Sequence, residues 1–334
     1  MCIFSNTVEK IKQTNILVYE TQDKRQVTVY SNEVELSNLQ RDKPNAMILP
    51  VPCKGMSVNS IQLLNLSGVP KLFSDLDDIL PMPEEEVELI DFSPDDTPKS
   101  LSLTIKRVGG YLVSIAYDVN ELDAINKSKF EIRKPVLDLL KRMYKEGYSF
   151  IVCKFEPNVT KITLPHPLAY VHTKIAPDLL FVPTLHYHSD EHDDSIYATE
   201  YELFDHDIYS FNIGNRATEQ VPPEEKWSGS GPKPKLKKAM PSVTRFTSLD
   251  VNRQGSKRNF LGDTEDCDDQ WSKYNVLKIK RPSYIQKLGK LLKQLSDLNV
   301  PLPKDSRTAD FPMLSRESIH GPYANVDLYY NIVE

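Results

Sequence analysis

The sequence predicts an α+β fold, with a strand-rich core domain and few helices. Three β-rich runs separated by polar breaks lie between Asn15 and Pro52. Amphipathic helical patterns are fewer, and the clearest lie at residues 135–145 and 284–298. Hydrophobic residues make up 40% of the 334-residue chain, which is enough to bury a sizeable core.

The first strands form a predicted hairpin, because residues 16–19 and 27–30 alternate around a polar break. Residues 46–51 form an almost unbroken apolar run, which predicts a central strand buried on both faces. Pro50 and Pro52 are expected to end that strand, because proline cannot donate to the ladder.

The rest of the first two thirds of the chain continues the strand-rich pattern. Gly109-Gly110 predicts the turn of a second hairpin, between residues 101–105 and 111–117. The acidic, proline-rich stretch 81–100 is predicted to be a loop. Further strands are predicted at residues 60–66, 148–155, 179–187, 208–213 and 326–333, and short helices at residues 70–80 and 120–126.

Composition divides the chain into three predicted regions. Residues 1–216 hold most predicted strands and form a β-rich core domain. Residues 217–270 carry prolines, glycines and lysines with few large apolar residues, which predicts a flexible basic linker. Residues 271–334 form a C-terminal extension that contains the amphipathic helix 284–298.

The helix at 284–298 has an aliphatic stripe that must be covered by something. We expect it to pack on its own chain rather than on a partner, because an exposed aliphatic face would promote aggregation. The stripe consists of Ile285, Leu288, Leu291, Leu292, Leu295 and Leu298.

Several functional classes are excluded by composition and motifs. No run of about 18 apolar residues predicts a membrane-spanning helix, and neither GxxxxGK[ST] nor GxGxxG occurs. The net charge of −6 argues against general nucleic-acid binding. The first residues lack a signal-peptide pattern, so a cytoplasmic location is expected. Low glycine with abundant lysine, asparagine and aspartate suggests an AT-rich genome; if the source is a virus, a virion location is the alternative.

Several segments resemble a known family in the same order along the chain. They include Met1-Cys-Ile-Phe-Ser, Asn45-Ala-Met-Ile-Leu-Pro-Val-Pro, Tyr148-Ser-Phe-Ile-Val-Cys-Lys-Phe and Leu180-Phe-Val-Pro-Thr-Leu-His-Tyr-His. These segments resemble a little-studied, mainly bacterial group related to the domain of unknown function DUF2330. The resemblance covers residues 1–213 and implies a domain extent, but no activity.

Histidines cluster in one part of the sequence and suggest a metal site. His186 and His188 alternate on a predicted strand, so their side chains would face the same side, and Asp205 and His206 follow downstream. Imidazole and carboxylate are ligands for zinc, iron or manganese. The alternative is a polar surface strand and an acidic loop. Six of the seven histidines fall in this part: His166, His172, His186, His188, His192 and His206.

Other reactive groups give weaker hypotheses. Cys2 would become the N-terminal residue if Met1 were removed, and an N-terminal cysteine can act as a nucleophile with its own amine as the base. The alternative is a buried thiol in the first strand. Cys53 is interpreted as an inert thiol. Asp77-Asp78 and Glu84–Glu86 are paired carboxylates, which are usually solvated and only rarely an acid–base pair.

The leading functional hypothesis is a non-enzymatic structural or protein-interaction protein, with a component of a larger assembly or virion as one form of that role. Its protein partners are expected to bind through residues 217–334, which include the basic stretch 233–258. That stretch is interpreted as a solvated linker, with nucleic acid or an acidic protein surface as the alternatives. The other hypothesis is a metal-dependent enzyme at His186, His188 and His206. No cofactor beyond that divalent metal is predicted.

Overall fold

The computed structural model describes most of the predicted strand-bearing regions. It covers residues 2–5, 8, 10–35, 45–53, 60–80, 106–124, 132–144, 147–154, 161–163, 166–187, 201–211, 213–216, 243–248, 281–304, 314–324 and 327–332.

One sheet has six strands, in the spatial order β12-β1-β4-β8-β7-β6. All neighbours are antiparallel except β1 and β12, which run parallel. Its strands are β1 (Cys2–Phe4), β4 (Ala46–Pro52), β6 (Lys106–Val108), β7 (Tyr111–Ala116), β8 (Tyr148–Lys154) and β12 (His186–Tyr187).

A second sheet has eight strands, in the order β15-β16-β13-β2-β3-β10-β5, with β9 paired to β3. Here β2 and β13 run parallel, and the remaining pairs are antiparallel. Its strands are β2 (Lys10–Glu20), β3 (Gln26–Glu35), β5 (Ile61–Leu64), β9 (Lys161–Thr163), β10 (Leu168–His172), β13 (Tyr201–Phe211), β15 (Val243–Ser248) and β16 (Leu314–Ala324).

A third, smaller sheet and the helices complete the described part of the chain. The small sheet has the order β11-β17-β14, with β11 (Leu179–Val182), β14 (Ile213–Arg216) and β17 (Leu328–Ile332). The helices are α1 (Leu72–Ile79), α2 (Glu121–Ala124), α3 (Lys134–Met143) and α4 (Arg281–Asp297). The predicted α+β class with few helices is confirmed.

The two large sheets pack face to face. Successive side chains of a strand point to opposite faces, so Ile16 and Val18 of β2 meet Met47, Leu49 and Val51 of β4 in a shared core. This core continues through β3, β7, β8, β10, β13 and β17. The strands therefore form a β-sandwich.

Helices cover the outer face of each large sheet. On the eight-stranded sheet, the opposite face of β2 packs Leu17 and Tyr19 against α1 and α4. On the six-stranded sheet, Ala46 and Ile48 pack against α2 and α3. The central strands of both large sheets are thus buried on both faces, which explains why they read as continuous apolar runs.

Strand β4 occupies the central position that its composition predicts. All seven of its residues are buried, and it lies between β1 and β8. However, Pro50 does not end the strand, which continues to Pro52 and pairs Pro50 with Phe150. Strand β1 pairs with β4 only at Met47 and Ile48. The missing N–H of Pro50 is tolerated because, in the described residues, no strand flanks it on that side.

Helix α4 packs on its own chain, as predicted. Leu288, Leu291, Leu292 and Leu295 are buried in the core against α1 and the eight-stranded sheet. The helix ends in a Schellman-type turn, in which Asn299 has a φ of 59° and the Val300 N–H donates to the Leu295 carbonyl at 3.0 Å.

The described C-terminal elements complete the sheets of residues 1–216. Strand β16 pairs with β13 over eleven residue pairs, from Tyr201 to Phe211, and β17 joins β11 to β14. Strand β15 falls within the predicted linker and pairs with β16, while the other residues of 217–270 lie outside the described ranges. Long-range strand pairing of this kind leaves no local signal in composition. The division at residue 216 stays a prediction about domains, while the described strands on both sides of it share the same sheets. Within the described ranges, no helix is long and apolar enough to cross a bilayer.

Candidate functional site

A groove lies where one edge of each large sheet comes close to the other. In the described residues, β5 is the last strand of the eight-stranded sheet and β6 is the last strand of the six-stranded sheet. The space between them has a volume of about 660 Å³. We call it the β5–β6 groove; it is lined by Ile61, Gln62, Leu63, Lys106, Arg107, Val108 and Ile115.

Strand β6 presents backbone groups to this groove. It pairs with β7 across a two-residue Gly109-Gly110 turn, with Val108 opposite Tyr111. The predicted turn is confirmed, but its first strand is Lys106–Val108, and the predicted residues 101–105 lie outside the described ranges. The closing pair of such a turn exchanges hydrogen bonds, and hydrogen-bonded pairs alternate along an antiparallel ladder. The next residue, Arg107, therefore turns its backbone N–H and carbonyl away from β7, toward the side on which the described residues place no further strand.

The turn of this hairpin is held by His166. The Gly110 N–H donates to His166 Nε2 at 3.1 Å, and the Tyr111 hydroxyl donates to the His166 carbonyl. The Tyr111 and His166 rings also meet edge to face, with centroids 4.8 Å apart. Gly109 is required at the turn because its φ is +55° and because a Cβ there would lie 2.0 Å from His166 Nε2.

The contacts of His166 define its protonation state. Because Nε2 accepts a hydrogen bond from Gly110, the ring proton lies on Nδ1, which donates to the Pro167 carbonyl at 2.9 Å. Both nitrogens are satisfied only when the imidazole is neutral. Burial lowers the pKa of His166 below its usual value, partly offset by the hydrogen bond to Pro167.

This lowered pKa makes the hairpin sensitive to acid. A histidine whose pKa is lower in the folded state stabilises the fold at pH values above its unfolded pKa of about 6.5. That stabilisation is lost as the pH falls through the folded pKa, by about 1.4 kcal/mol for each pH unit between the two values. We expect the melting temperature to fall between pH 7 and pH 5, and to fall less in His166→Gln, which cannot titrate. Equal slopes for both proteins would contradict the neutral imidazole.

The opposite wall of the groove is equally well anchored. Strand β5 pairs with β10 from Ile61 to Leu64, and all five residues of β10 are buried. The groove lining holds two exposed cations, Lys106 and Arg107, and no carboxylate. The groove thus combines fixed walls, outward-facing backbone groups and positive charge.

The structure brings together two residues that the sequence singled out separately. Cys2 and His186 are partners on the adjacent parallel strands β1 and β12. Their side chains are outside what the structure describes, so the nucleophile hypothesis for Cys2 stays a prediction. Cys2 does lie in the first strand, while the alternative of a buried thiol there also stays a prediction.

The members of the predicted metal site fall in different sheets. His186 is in β12 of the six-stranded sheet, whereas Asp205 and His206 are in β13 of the eight-stranded sheet. His206 is buried, and His188 lies outside the described residues. Over the residues whose side chains are described, no group of three or more His, Cys, Asp or Glu is placed to hold a metal ion. Metal binding and the metal-dependent enzyme remain untested hypotheses.

The carboxylate and thiol candidates have structural roles. Asp77 forms an ion pair of 2.8 Å with Arg316 and accepts a hydrogen bond from the Tyr209 hydroxyl. Cys53 is buried and donates to Ser149 Oγ at 3.3 Å, and burial raises the pKa of its thiol, as expected of an inert cysteine. Glu84–Glu86 lie outside the described residues, as does the predicted basic stretch 233–258 apart from residues 243–248.

The groove was not predicted, although the sequence holds part of its signal. Gly109-Gly110 predicted the turn, and His166 was one of the six clustered histidines. The two segments are more than fifty residues apart along the chain, so local sequence patterns do not encode their contact. Lys106 and Arg107 carried no motif that distinguished them from other surface cations.

Comparison with known proteins identifies similar folds only. No protein-family model matches the chain, and no curated protein matches it. The crystal structure of baculovirus P35 is similar, with 14% identity, a TM-score of 0.48 and 100% of each chain covered. A mutated baculovirus P35 after caspase cleavage has 13% identity and a TM-score of 0.41, covering 97% of this chain and 99% of that chain. The P35 chain in a complex with caspase-8 has 12% identity and a TM-score of 0.40, with 97% of each chain covered.

Proposed function

We propose that this chain is a protein-interaction protein that binds an extended, acidic segment of a partner in the β5–β6 groove. The observation that carries the proposal is the pair of strand edges, β5 and β6, that flank a basic groove. The site differs from the predicted one, because it lies in the first part of the chain rather than in residues 217–334.

A free strand edge is a template for another strand. An extended segment that pairs with such an edge gains main-chain hydrogen bonds, and side-chain pockets along the groove supply specificity. Ile61, Leu63 and Ile115 provide apolar contacts in the groove, while Lys106 and Arg107 attract acidic side chains. Its volume of about 660 Å³ lies within the range of about 300–1,000 Å³ that is usual for ligand sites.

A defined peptide pair tests the proposal directly. We expect the full chain to bind a short capped peptide of alternating glutamate and valine, and to bind the matching lysine and valine peptide more weakly. Hydrogen exchange should slow at the backbone amide of Arg107 when the acidic peptide binds. Equal binding of both peptides, or unchanged exchange at β6, would contradict the proposal.

Two substitutions at Arg107 separate charge from backbone pairing. Arg107→Ala removes the charge and keeps the N–H, whereas Arg107→Pro removes both. Proline is tolerated on an edge strand, and the N–H it lacks points away from β7. Loss of one hydrogen bond weakens binding by about 2- to 12-fold. We therefore expect Arg107→Pro to bind the acidic peptide more weakly than Arg107→Ala by that factor. Equal affinities would mean that no strand is added at β6.

A whole protein should be tested beside the peptides. Because P35 forms a complex with caspase-8 in one of the similar structures, caspase-8 is a reasonable first probe. If it binds this chain through the groove, the substitutions at Arg107 will weaken both interactions in the same order. Binding of caspase-8 that is insensitive to both substitutions would place that contact elsewhere on the chain.

A further inference from the structure

A second, smaller cavity has an aromatic wall and shares no lining residue with the β5–β6 groove. Its volume is about 150 Å³. It opens beside Ile175, a large hydrophobic residue that is 45% exposed. We call it the aromatic cavity; it is lined by Gln26, Pro52, Tyr148, His172, Lys174, Ile175, Ala176, Leu179, Phe181 and Tyr329.

Three rings of this wall hold one another in place. The Phe181 ring meets Tyr329 with centroids 5.4 Å apart and Tyr148 with centroids 6.3 Å apart, both edge to face. The Tyr148 and Tyr329 hydroxyls share a hydrogen bond of 3.0 Å. A planar ring that entered the cavity would meet this wall in the offset or edge-to-face arrangements that aromatic groups prefer.

The polar groups of the lining differ in whether they already have hydrogen-bond or charge partners. The Gln26 amide is fully engaged, since its nitrogen donates to Thr28 and to the Phe181 carbonyl and its oxygen accepts from the Phe181 N–H. The Lys174 ammonium is paired with the Glu20 carboxylate and also donates to the Pro177 carbonyl. The cavity therefore has no net charge.

His172 is the exception. It is 1% exposed, and neither ring nitrogen has a hydrogen-bond partner. Burial lowers the pKa of the imidazole to about 4, so the ring is neutral near pH 7. Backbone groups of Thr173 and Pro52 oppose this shift, but neither contact has hydrogen-bond geometry. A buried, unpaired polar group in a native protein calls for an explanation such as a missing ligand.

We propose that the aromatic cavity binds the phenol ring of a tyrosine on the partner protein, with its hydroxyl bonded to the imidazole of His172. This inference rests on the proposed protein-interaction function and adds a second contact to it. Ile175, at the rim, would pack against the partner's chain on either side of that tyrosine.

Size and charge select this occupant. A cavity of about 150 Å³ is large enough to hold one benzene-sized ring. A neutral imidazole has one donor and one acceptor, and a hydroxyl can satisfy either. An anion would lie near the Glu20 carboxylate, which already balances Lys174, and would lose its hydration without gaining a free cation.

A pair of side-chain analogues tests the chemistry. p-Cresol corresponds to tyrosine and toluene to phenylalanine. Toluene is the more hydrophobic compound, so an unspecific apolar cavity would favour it. We expect the full chain to bind p-cresol about tenfold more tightly than toluene in calorimetric titration, as one added hydrogen bond implies. Equal or tighter binding of toluene, or no binding of p-cresol, would overturn the assignment.

Variants locate the site. His172→Phe removes the polar partner, so the preference for p-cresol should disappear even if a ring still binds. Ala176→Trp should block the cavity from its rim and abolish p-cresol binding, whereas Ser67→Trp, on an exposed turn elsewhere, should not. If Ala176→Trp binds p-cresol normally while its melting temperature is unchanged, the ligand binds elsewhere and the proposal is wrong.

Further measurements distinguish a free phenol from a tyrosine of a partner, and the aromatic cavity from the β5–β6 groove. Binding of p-cresol but not of N-acetyltyrosinamide would indicate a free phenol and overturn the partner assignment. Ala176→Trp should retain the acidic peptide, and Arg107→Pro should retain p-cresol. If each variant loses only the ligand of its own site, the two sites bind independently, and either proposal can be wrong without the other.

Discussion

Replacing Leu288 and Leu292 together by alanine is expected to lower the free energy of unfolding by about 4–10 kcal/mol. Each leucine is almost fully buried between α4, α1 and the outer face of the eight-stranded sheet. Removing a buried leucine side chain costs about 2–5 kcal/mol, because apolar contact is lost and a cavity remains. Typical domains have a total stability of about 5–15 kcal/mol, so the expected loss is comparable with the whole stability of the fold.

Single variants make this effect measurable. Leu288→Ala and Leu292→Ala should each lower the denaturant midpoint, while Gln286→Ala with Lys290→Ala, on the exposed side of the same helix, should leave it nearly unchanged. The exposed pair controls for any change in helix propensity. If both pairs had the same small effect, α4 would not be part of the core.

The success of the α4 prediction shows which features a sequence encodes locally. Apolar residues at helical spacing identified both the helix and its buried face, and the apolar run at 46–51 identified a strand buried on both sides. In each case the signal lies within a few consecutive residues. The same is true of Gly109-Gly110, whose backbone freedom predicted a turn.

Features that depend on distant residues were not predictable in this way. The parallel pairing of β2 with β13, for example, aligns Ile16 with Ile208, and neither strand's composition specifies its neighbour. The β5–β6 groove also arises from topology, because it exists only where the last strands of two sheets come together. The unpaired nitrogens of His172 likewise follow from packing and not from its neighbours in sequence.

Asp77 illustrates the same limit for a candidate site residue. The pair Asp77-Asp78 in the sequence suggested solvated carboxylates or an acid–base pair. In the fold, Arg316 bonds both Asp77 and Asp207 at 2.8 Å and also donates to the Leu80 carbonyl at 3.3 Å. Burial raises the pKa of Asp77, while Tyr209 and Arg316 counteract that effect. The cluster fixes the end of α1 to the eight-stranded sheet, a role that no local pattern indicates.

Gly109→Ala is expected to lower the free energy of unfolding by about 2–5 kcal/mol and to weaken binding in the β5–β6 groove. A residue with a side chain costs about 1–2 kcal/mol in the left-handed conformation that Gly109 adopts. The added Cβ would also lie 2.0 Å from His166 Nε2, so the turn must move and lose the hydrogen bond from Gly110. Leaving that buried nitrogen unsatisfied costs about 1–3 kcal/mol more.

A double-mutant cycle separates the two causes. In Gly109→Ala with His166→Ala, the collision with the imidazole is absent, while the backbone strain, the loss of the histidine and a contact of 2.9 Å with Asn65 Oδ1 remain. We therefore expect the two substitutions to be less than additive, by about 1–3 kcal/mol. Unfolding by denaturant gives the four stabilities, and titration with the acidic peptide gives the matching affinities. Strict additivity would mean that His166 does not hold the turn, and unchanged peptide affinity in Gly109→Ala would mean that the position of β6 does not determine binding in the groove.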